Sequence, residues 1–267
     1  MLAQVSISKL TSFVLGSGAL RLTPNTPYKF GSGALRYRDN TPYKLKPTLY
    51  PLPPTLYMKY GLALHTSSPA LGLAISSSAK DVRCQTWDLG RETSNYLHPY
   101  LRDFLSPQTW QDLGWLAVAN GPGGFTGARL GVVTVRTLAQ QLNLPVFTVS
   151  SLAAIAWHTP HDGSIAISMP AQRGEVFAAV YQISLDRQEF TTILPDTVFS
   201  SADWDAQLVQ LQPSHHHSVP QSANLADTVA GVLALARMDY DRGERPHWSM
   251  AVPFYGQHPV INQSIAK

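Results

Sequence analysis

The segment GPGGFTG at residues 121–127 is the densest chemical signal in the chain. Gly121, Gly123 and Gly124 allow positive φ and close backbone approach, and Thr126 is placed to cap a helix that starts there. Unpaired N–H groups at such a helix start can hold an anion. The segment has neither the lysine of GxxxxGK[ST] nor the spacing of GxGxxG, so neither nucleotide fingerprint applies. The same glycines also make a tight strand-to-helix turn. Gly127 and Gly131, four apart, then give the helix a smooth face on which another helix can lie. Mechanics alone favours packing, with ligand contact as the competing reading.

Other reactive side chains are scattered. His158 and His161 flank Thr-Pro in an expected loop, and His215, His216 and His217 are consecutive in a second one bounded by Pro and Ser. Adjacent loop histidines do not make a preorganised metal site, and both sets read as surface. Cys84 is the one cysteine and falls on an expected strand, where buried packing is the expectation and nucleophilic use the alternative. Arg173 and Glu175 stand where they can pair or cap a turn at the start of a strand.

The elements that must position these residues follow from period and breaks. YGLALHTS (60–67), ALGLAISSS (70–78) and VRCQTWDL (82–89) are short apolar or alternating runs, expected as an antiparallel meander. A helix is expected from about Glu92 to Leu105, with Tyr96, Leu97, Tyr100, Leu101, Phe104 and Leu105 along one stripe. WLAVAN (115–120) is a buried-strand signal. Residues 126–142 return to helical period through Ala128, Val132, Val135, Ala139 and Leu142. PVFTVS (145–150), SIAISMP (164–170) and EVFAAVYQ (175–182) read as strands, and Ser150 as the cap of the helix SLAAIAWH. The region 183–222 is weakly patterned, with possible strands in TTILPDTVF. A last helix is expected from about Asn224 to Met238, followed by the extended arm VPFYGQHPV. The order βββαβαβ is an α/β plan matching a ribonuclease-H-like or actin-like core.

Composition narrows the classes. With 44% hydrophobic residues over 267 positions, the chain can bury a sizeable core, and one cysteine excludes a disulfide-stapled scaffold. Residues 1–57 hold seven Lys/Arg and one acid, net +6, leaving 13 basic and 16 acidic residues, net −3, beyond them. The basic pI near 9.0 therefore belongs to the tail, and the body gives no support to phosphate-backbone binding. The tail repeats GSGALR, NTPYK and PTLY twice each, with Pro and Gly interrupting any helix. It is expected to be a disordered extension, or translated repetitive DNA ahead of a true start at Met58, with residues 58–267 as the folded domain. No window of about 18 apolar residues marks a membrane span.

GPGGFTGARLGVVTVRTLAQQLNLPVFTVSSLAAIA (121–156) resembles the signature of the TsaB (YeaZ) family, usually GPGSFTGLRIG followed by a helix, a strand and SSL-AL. QRGEVFAAVY (172–181) is similar to that family's RRGEVY-ALY segment, and MKYGLALHTSS (58–68) sits where its chains begin. The resemblance implies an actin-like ATPase fold with two related lobes. It implies a cytoplasmic, non-catalytic scaffold in the machinery that makes threonylcarbamoyladenosine beside the tRNA anticodon. The implied partners are a TsaD-like catalytic paralogue and a TsaE-like ATPase, with TsaC supplying the threonylcarbamoyl-adenylate, tRNA met only through the complex, a homodimer as a further pairing, and ATP held by partner subunits. Pairing is implied through the first two helices, which puts Tyr96, Leu97, His98, Tyr100, Leu101, Phe104, Gly127, Ala128, Gly131, Val132 and Val135 at the interface. Gly131→Leu is then expected to lower partner binding and spare the fold.

The resemblance also frames two departures from catalysis. The catalytic paralogue carries its metal on two histidines at helical spacing, whereas here His98 has Arg102 four residues on. Where the family and the actin-like ATPases place an aspartate after the first strand, this chain has His65, and a neutral imidazole does not replace a hard oxygen ligand for magnesium. The competing readings are a metal-dependent glycoprotease-like peptidase and a nucleotide-binding ATPase of the same superfamily.

Overall fold

In the run YGLALH the leucines alternate with small residues, and both kinds are buried. A strand of that composition needs cover on both faces. The computed structural model supplies it, and it describes residues 14–15, 18–19, 59–186, 189–254 and 256. Two units divide the chain after Pro51. In the first, β1 (Val14–Leu15) pairs antiparallel with β2 (Gly18–Ala19); the rest of the repetitive tail lies outside the described residues.

The second unit opens with the expected meander, β3 (Tyr60–His65), β4 (Ala70–Ser76) and β5 (Arg83–Asp88). Helix α1 (Thr93–Leu105) leads to β6 (Leu113–Ala119), parallel to β3, and α2 (Phe125–Leu142) to β7 (Val146–Val149), parallel to β6. The sheet order is β5-β4-β3-β6-β7. After α3 (Ser151–His158) the plan repeats. β8 (Gly163–Pro170), β9 (Glu175–Ser184) and β10 (Glu189–Ser200) form a second meander, and α4 (Ser201–Leu211) leads to β11 (His215–Ser218), parallel to β8. Each lobe is a meander, a helix and a strand laid parallel beside the meander's first strand, so the expected pair of related α/β lobes is present. Helix α5 (Val229–Asp241) returns to the first sheet.

The core has three compartments. Leu62, Leu64, Leu71 and Leu73 meet α1 and α2 on the outer face of the first sheet. Ala63, Ala74 and Ala117 meet α3 and α5 on its inner face, and the second sheet covers those helices with Ile165, Ile167 and Tyr181. Trp204 of α4 covers Ala166, Ala178 and Val180 beyond that. The small residues on the inner face let neighbouring groups approach the backbone closely. At Gly61 a Cβ would lie 1.9 Å from the ring of Trp115, and at Gly231 one would lie 2.6 Å from the carbonyl oxygen of Ala154.

Several local expectations change. The weak region contains α4 and a long β10, and the histidine run is strand β11 and not a loop, because parallel pairing with β8 satisfies its backbone whatever the side chains. His158 is the last residue of α3 and not a loop residue. Cys84 is exposed on β5, the edge strand of the first sheet, so the thiol is not core packing. The final helix begins as a 3-10 turn at Leu225–Thr228 before α5.

Candidate functional site

The glycine turn connects β6 to α2 and is clamped to the segment that follows β3. Gly121 and Gly123 have φ of +108° and +151°, conformations that favour glycine. The N–H of Gly124 donates to the Ser67 carbonyl at 2.6 Å, and the Thr66 hydroxyl donates to the Gly127 carbonyl at 2.8 Å. A Cβ would lie 2.4 Å from the Ser67 carbonyl oxygen if added at Gly123, and 1.9 Å from that of Thr66 if added at Gly127. The glycines therefore serve close packing of one chain segment on another. Thr126 is not the cap: Gly124 occupies that position without a side-chain hydrogen bond, and Thr126 is an exposed residue of the first turn. Ser150 does cap α3, accepting from the N–H groups of Leu152 and Ala153 at 3.0 and 3.2 Å.

His65, at the end of β3, is fully buried. Its Nδ1 accepts a 3.4 Å hydrogen bond from the Ser67 N–H, its Nε2 has no protein partner, and burial pulls its pKa down to about 3. The imidazole is neutral across the physiological range. His98 is exposed on α1, and Arg102, one turn on, pairs with Asp103 at 2.9 Å. His161 stacks on His215 with ring centres 5.0 Å apart and bonds the Ser214 hydroxyl at 3.0 Å. His216 bonds the Ser168 hydroxyl at 3.0 Å and sits edge-on to Trp204. Among the described residues no three His, Cys, Asp or Glu side chains converge on one point. Arg173 takes a left-handed conformation in the exposed turn before β9, and Glu175 opens that strand.

The eleven residues expected at an interface separate by burial. Leu97, Leu101, Phe104, Val132 and Val135 are buried against the first sheet, and Ala128 and Gly131 are buried on the same helix as Val132 and Val135, so these positions are spent inside the chain. Gly127 is half-buried and faces Thr66. Tyr96 and His98 face outward, with Tyr100 half-buried beside them and stacked on Trp87 at 4.8 Å. The small-residue face of α2 meets the Thr66–Ser68 segment and Val118 where a partner helix was expected. The apolar period marks a packing stripe, and what it packs on is this chain's own sheet.

What α1 and α2 present outward is a different surface. Tyr96 is 47% exposed, Phe125 48% and Val133 53%, large apolar side chains on two helices that share one face of the sheet. Phe125, Arg129, Val133 and Thr137 follow one another at four-residue spacing along the outer side of α2. Phe125 and Val133 lie outside the strongest apolar stripe of α2, which faces the sheet. The signal that finds them is a second, weaker stripe on the opposite side of the same helix.

Residues 92–256 match the family model described as TsaD, tRNA N6-adenosine threonylcarbamoyltransferase. The tRNA threonylcarbamoyladenosine biosynthesis protein TsaB of Bacillus subtilis (strain 168) is 34% identical over 146 residues, covering 54% of this chain and 63% of that protein. Its Escherichia coli (strain K12) namesake is 31% identical over 126 residues, covering 45% of this chain and 54% of the relative. These matches thus span less than two thirds of either relative's length. A solved structure titled YeaZ from Pseudomonas aeruginosa has a TM-score of 0.57 at 24% identity, with 74% of this chain and all of that chain covered. A second, described as an uncharacterized protein with similarity to peptidase YEAZ from Pseudomonas aeruginosa, has a TM-score of 0.60, also at 24% identity, with 75% of this chain and all of that chain covered.

Proposed function

Because the chain belongs to the TsaD family, described as tRNA N6-adenosine threonylcarbamoyltransferase, and has curated relatives named TsaB, we propose that it is the scaffold subunit of a complex that places threonylcarbamoyl on tRNA adenosine. The observation that carries this reading is the outer side of α1 and α2. Their inner faces are filled by the chain's own core, yet Tyr96, Phe125 and Val133 remain outward on one face of the first lobe. Exposed large apolar and aromatic side chains on the outer sides of neighbouring elements are a feature that partner recognition uses.

In this reading the face pairs with a TsaD-like catalytic paralogue built on the same fold, or with a second copy of this chain. The TsaE-like ATPase joins the assembled pair, tRNA is met through the complex, and ATP and any metal belong to partner subunits. The cytoplasm, where tRNA is modified, is the compartment that fits; no described helix is long and apolar enough to cross a membrane. Two positions favour a scaffold over a peptidase or an ATPase. By the family resemblance, Arg102, here bound to Asp103, stands where the catalytic paralogue has a second helical histidine, and His65, here neutral and buried, stands where a magnesium-ligating carboxylate is usual.

The test is titration of the catalytic paralogue with wild-type protein and with Val133→Asp, read by calorimetry. An exposed helix position tolerates such a change within about 0.5 kcal/mol of stability, whereas a charge buried at an interface core costs about tenfold or more in affinity. Unchanged affinity in Val133→Asp and also in Tyr96→Asp would remove this face from the reading.

A further inference from the structure

On the opposite side of the first sheet from α1 and α2, a cavity of about 490 Å³ opens beneath the edge strand β7. The end of β7 and the start of α3 form one wall, β10 with Tyr181 of β9 another, and the last turns of α5 a third. Phe254, whose N–H donates to the Asn120 carbonyl at 2.8 Å, also borders it. Its volume lies in the range of small-molecule sites, and its lining mixes polar groups with apolar ones.

The polar groups at one end form a directed chain. The Tyr181 hydroxyl donates to Asp196 Oδ1 at 2.8 Å and lies 3.4 Å from Ser150 Oγ. Ser150 Oγ already accepts from two N–H groups of α3, which leaves its proton for Tyr181. The series ends on a carboxylate that is half-buried and supported by hydroxyls. Among the described residues the ion pairs are Arg102–Asp103 and Arg242–Asp239, so no described cation lies within ion-pair distance of Asp196. The second pair, at 3.0 Å, sits on the cavity wall, so the lining carries two carboxylates against one guanidinium. Phe190, Leu235 and Met238 supply apolar surface between them.

A carboxylate withdrawn from water and met only by neutral donors is under-compensated, and a charge-assisted hydrogen bond from an ammonium is the strongest remedy. The apolar walls reward a hydrocarbon body of matching size. We propose that this cavity binds a small organic cation, a protonated amine on an apolar body, with its ammonium on Asp196 and its body against Phe190 and Met238. The site is separate from the α1 and α2 face, and the proposal does not rest on the tRNA-modification reading.

Full-chain protein is titrated with 2-phenylethylamine and with its neutral isostere 2-phenylethanol, followed by calorimetry and thermal shift. The amine is expected to bind saturably and at least about tenfold more tightly than the alcohol. Asp196→Asn keeps an acceptor for Tyr181 and removes the charge; it should bring the amine down to the level of the alcohol. Thr192→Trp, at an exposed strand position on the lining, should abolish binding of both probes with the thermal midpoint retained. Absence of a saturable amine response, equal affinity for the two probes, or amine affinity unchanged in Asp196→Asn would each overturn the proposal.

Discussion

Gly131 lies so close to Thr66 that a Cβ placed on it would sit 2.3 Å from the Thr66 Oγ1 and 3.3 Å from a methyl of Val118. The helix α2 therefore rests on the end of β3 through a missing side chain. Gly131→Ala is expected to cost about 1–3 kcal/mol by overpacking, and Gly131→Leu more, with loss of cooperative folding. Urea denaturation of both variants checks this. A Gly131→Leu protein of wild-type stability would mean that α2 sits further from β3, and would restore the expectation that this glycine faces a partner.

His65 makes a pH prediction with a definite sign. Its pKa is about 3 in the folded chain and near its ordinary value of about 6.5 when unfolded. Between those values the unfolded chain binds a proton that the folded chain does not. Stability therefore rises with pH through this window, and is lost as pH falls below about 6.5, at up to about 1.4 kcal/mol per pH unit. Urea midpoints measured from pH 7 to pH 4 should fall less steeply in His65→Asn than in the wild type. Parallel slopes would show that the imidazole is not desolvated.

Much of this could be read from residues, and the exceptions have physical causes. The first meander was legible because its apolar runs are separated by Ser-Pro and Ala-Lys-Asp breaks, and the observed strands lie within the expected ranges. Helix α4 buries Trp204 and little else, so its apolar period is faint. Strand β11 is HHHS, held by backbone pairing that leaves no trace in side-chain type. For α2 the stripe through Ala128, Val132 and Val135 was plain, but periodicity reports that a face is covered and not by what. The chain of Ser150, Tyr181 and Asp196 brings together residues from three elements, which no local pattern encodes.

Tyr181→Phe removes the donor to Asp196 and leaves the carboxylate less compensated. The expected cost is about 1–3 kcal/mol at neutral pH. Burial raises the Asp196 pKa, so the folded chain holds its proton to higher pH than the unfolded chain, and its contribution to stability falls as pH rises through that window. The penalty of Tyr181→Phe should accordingly shrink as pH is lowered and the acid is neutralised. Chemical denaturation over a pH series from neutral into the acid range measures the difference, and a penalty independent of pH throughout would assign the loss to packing.

Cys84 is the one cysteine and is exposed on β5. The native protein should react with one equivalent of a chromogenic disulfide without denaturant. Partial burial raises the thiol's pKa, so the rate should climb with pH well past neutrality. A thiol that reacts only after unfolding would return Cys84 to the core.

In the proposed function the outer side of α1 and α2 serves threonylcarbamoylation of tRNA. Nucleoside mass spectrometry of total tRNA tests it in cells depleted of this protein and supplied with either the wild type or Val133→Asp. The account predicts that threonylcarbamoyladenosine falls on depletion, returns with the wild type, and stays low with an equally abundant Val133→Asp. An unchanged level under verified depletion would contradict the function, and full rescue by Val133→Asp would contradict the face.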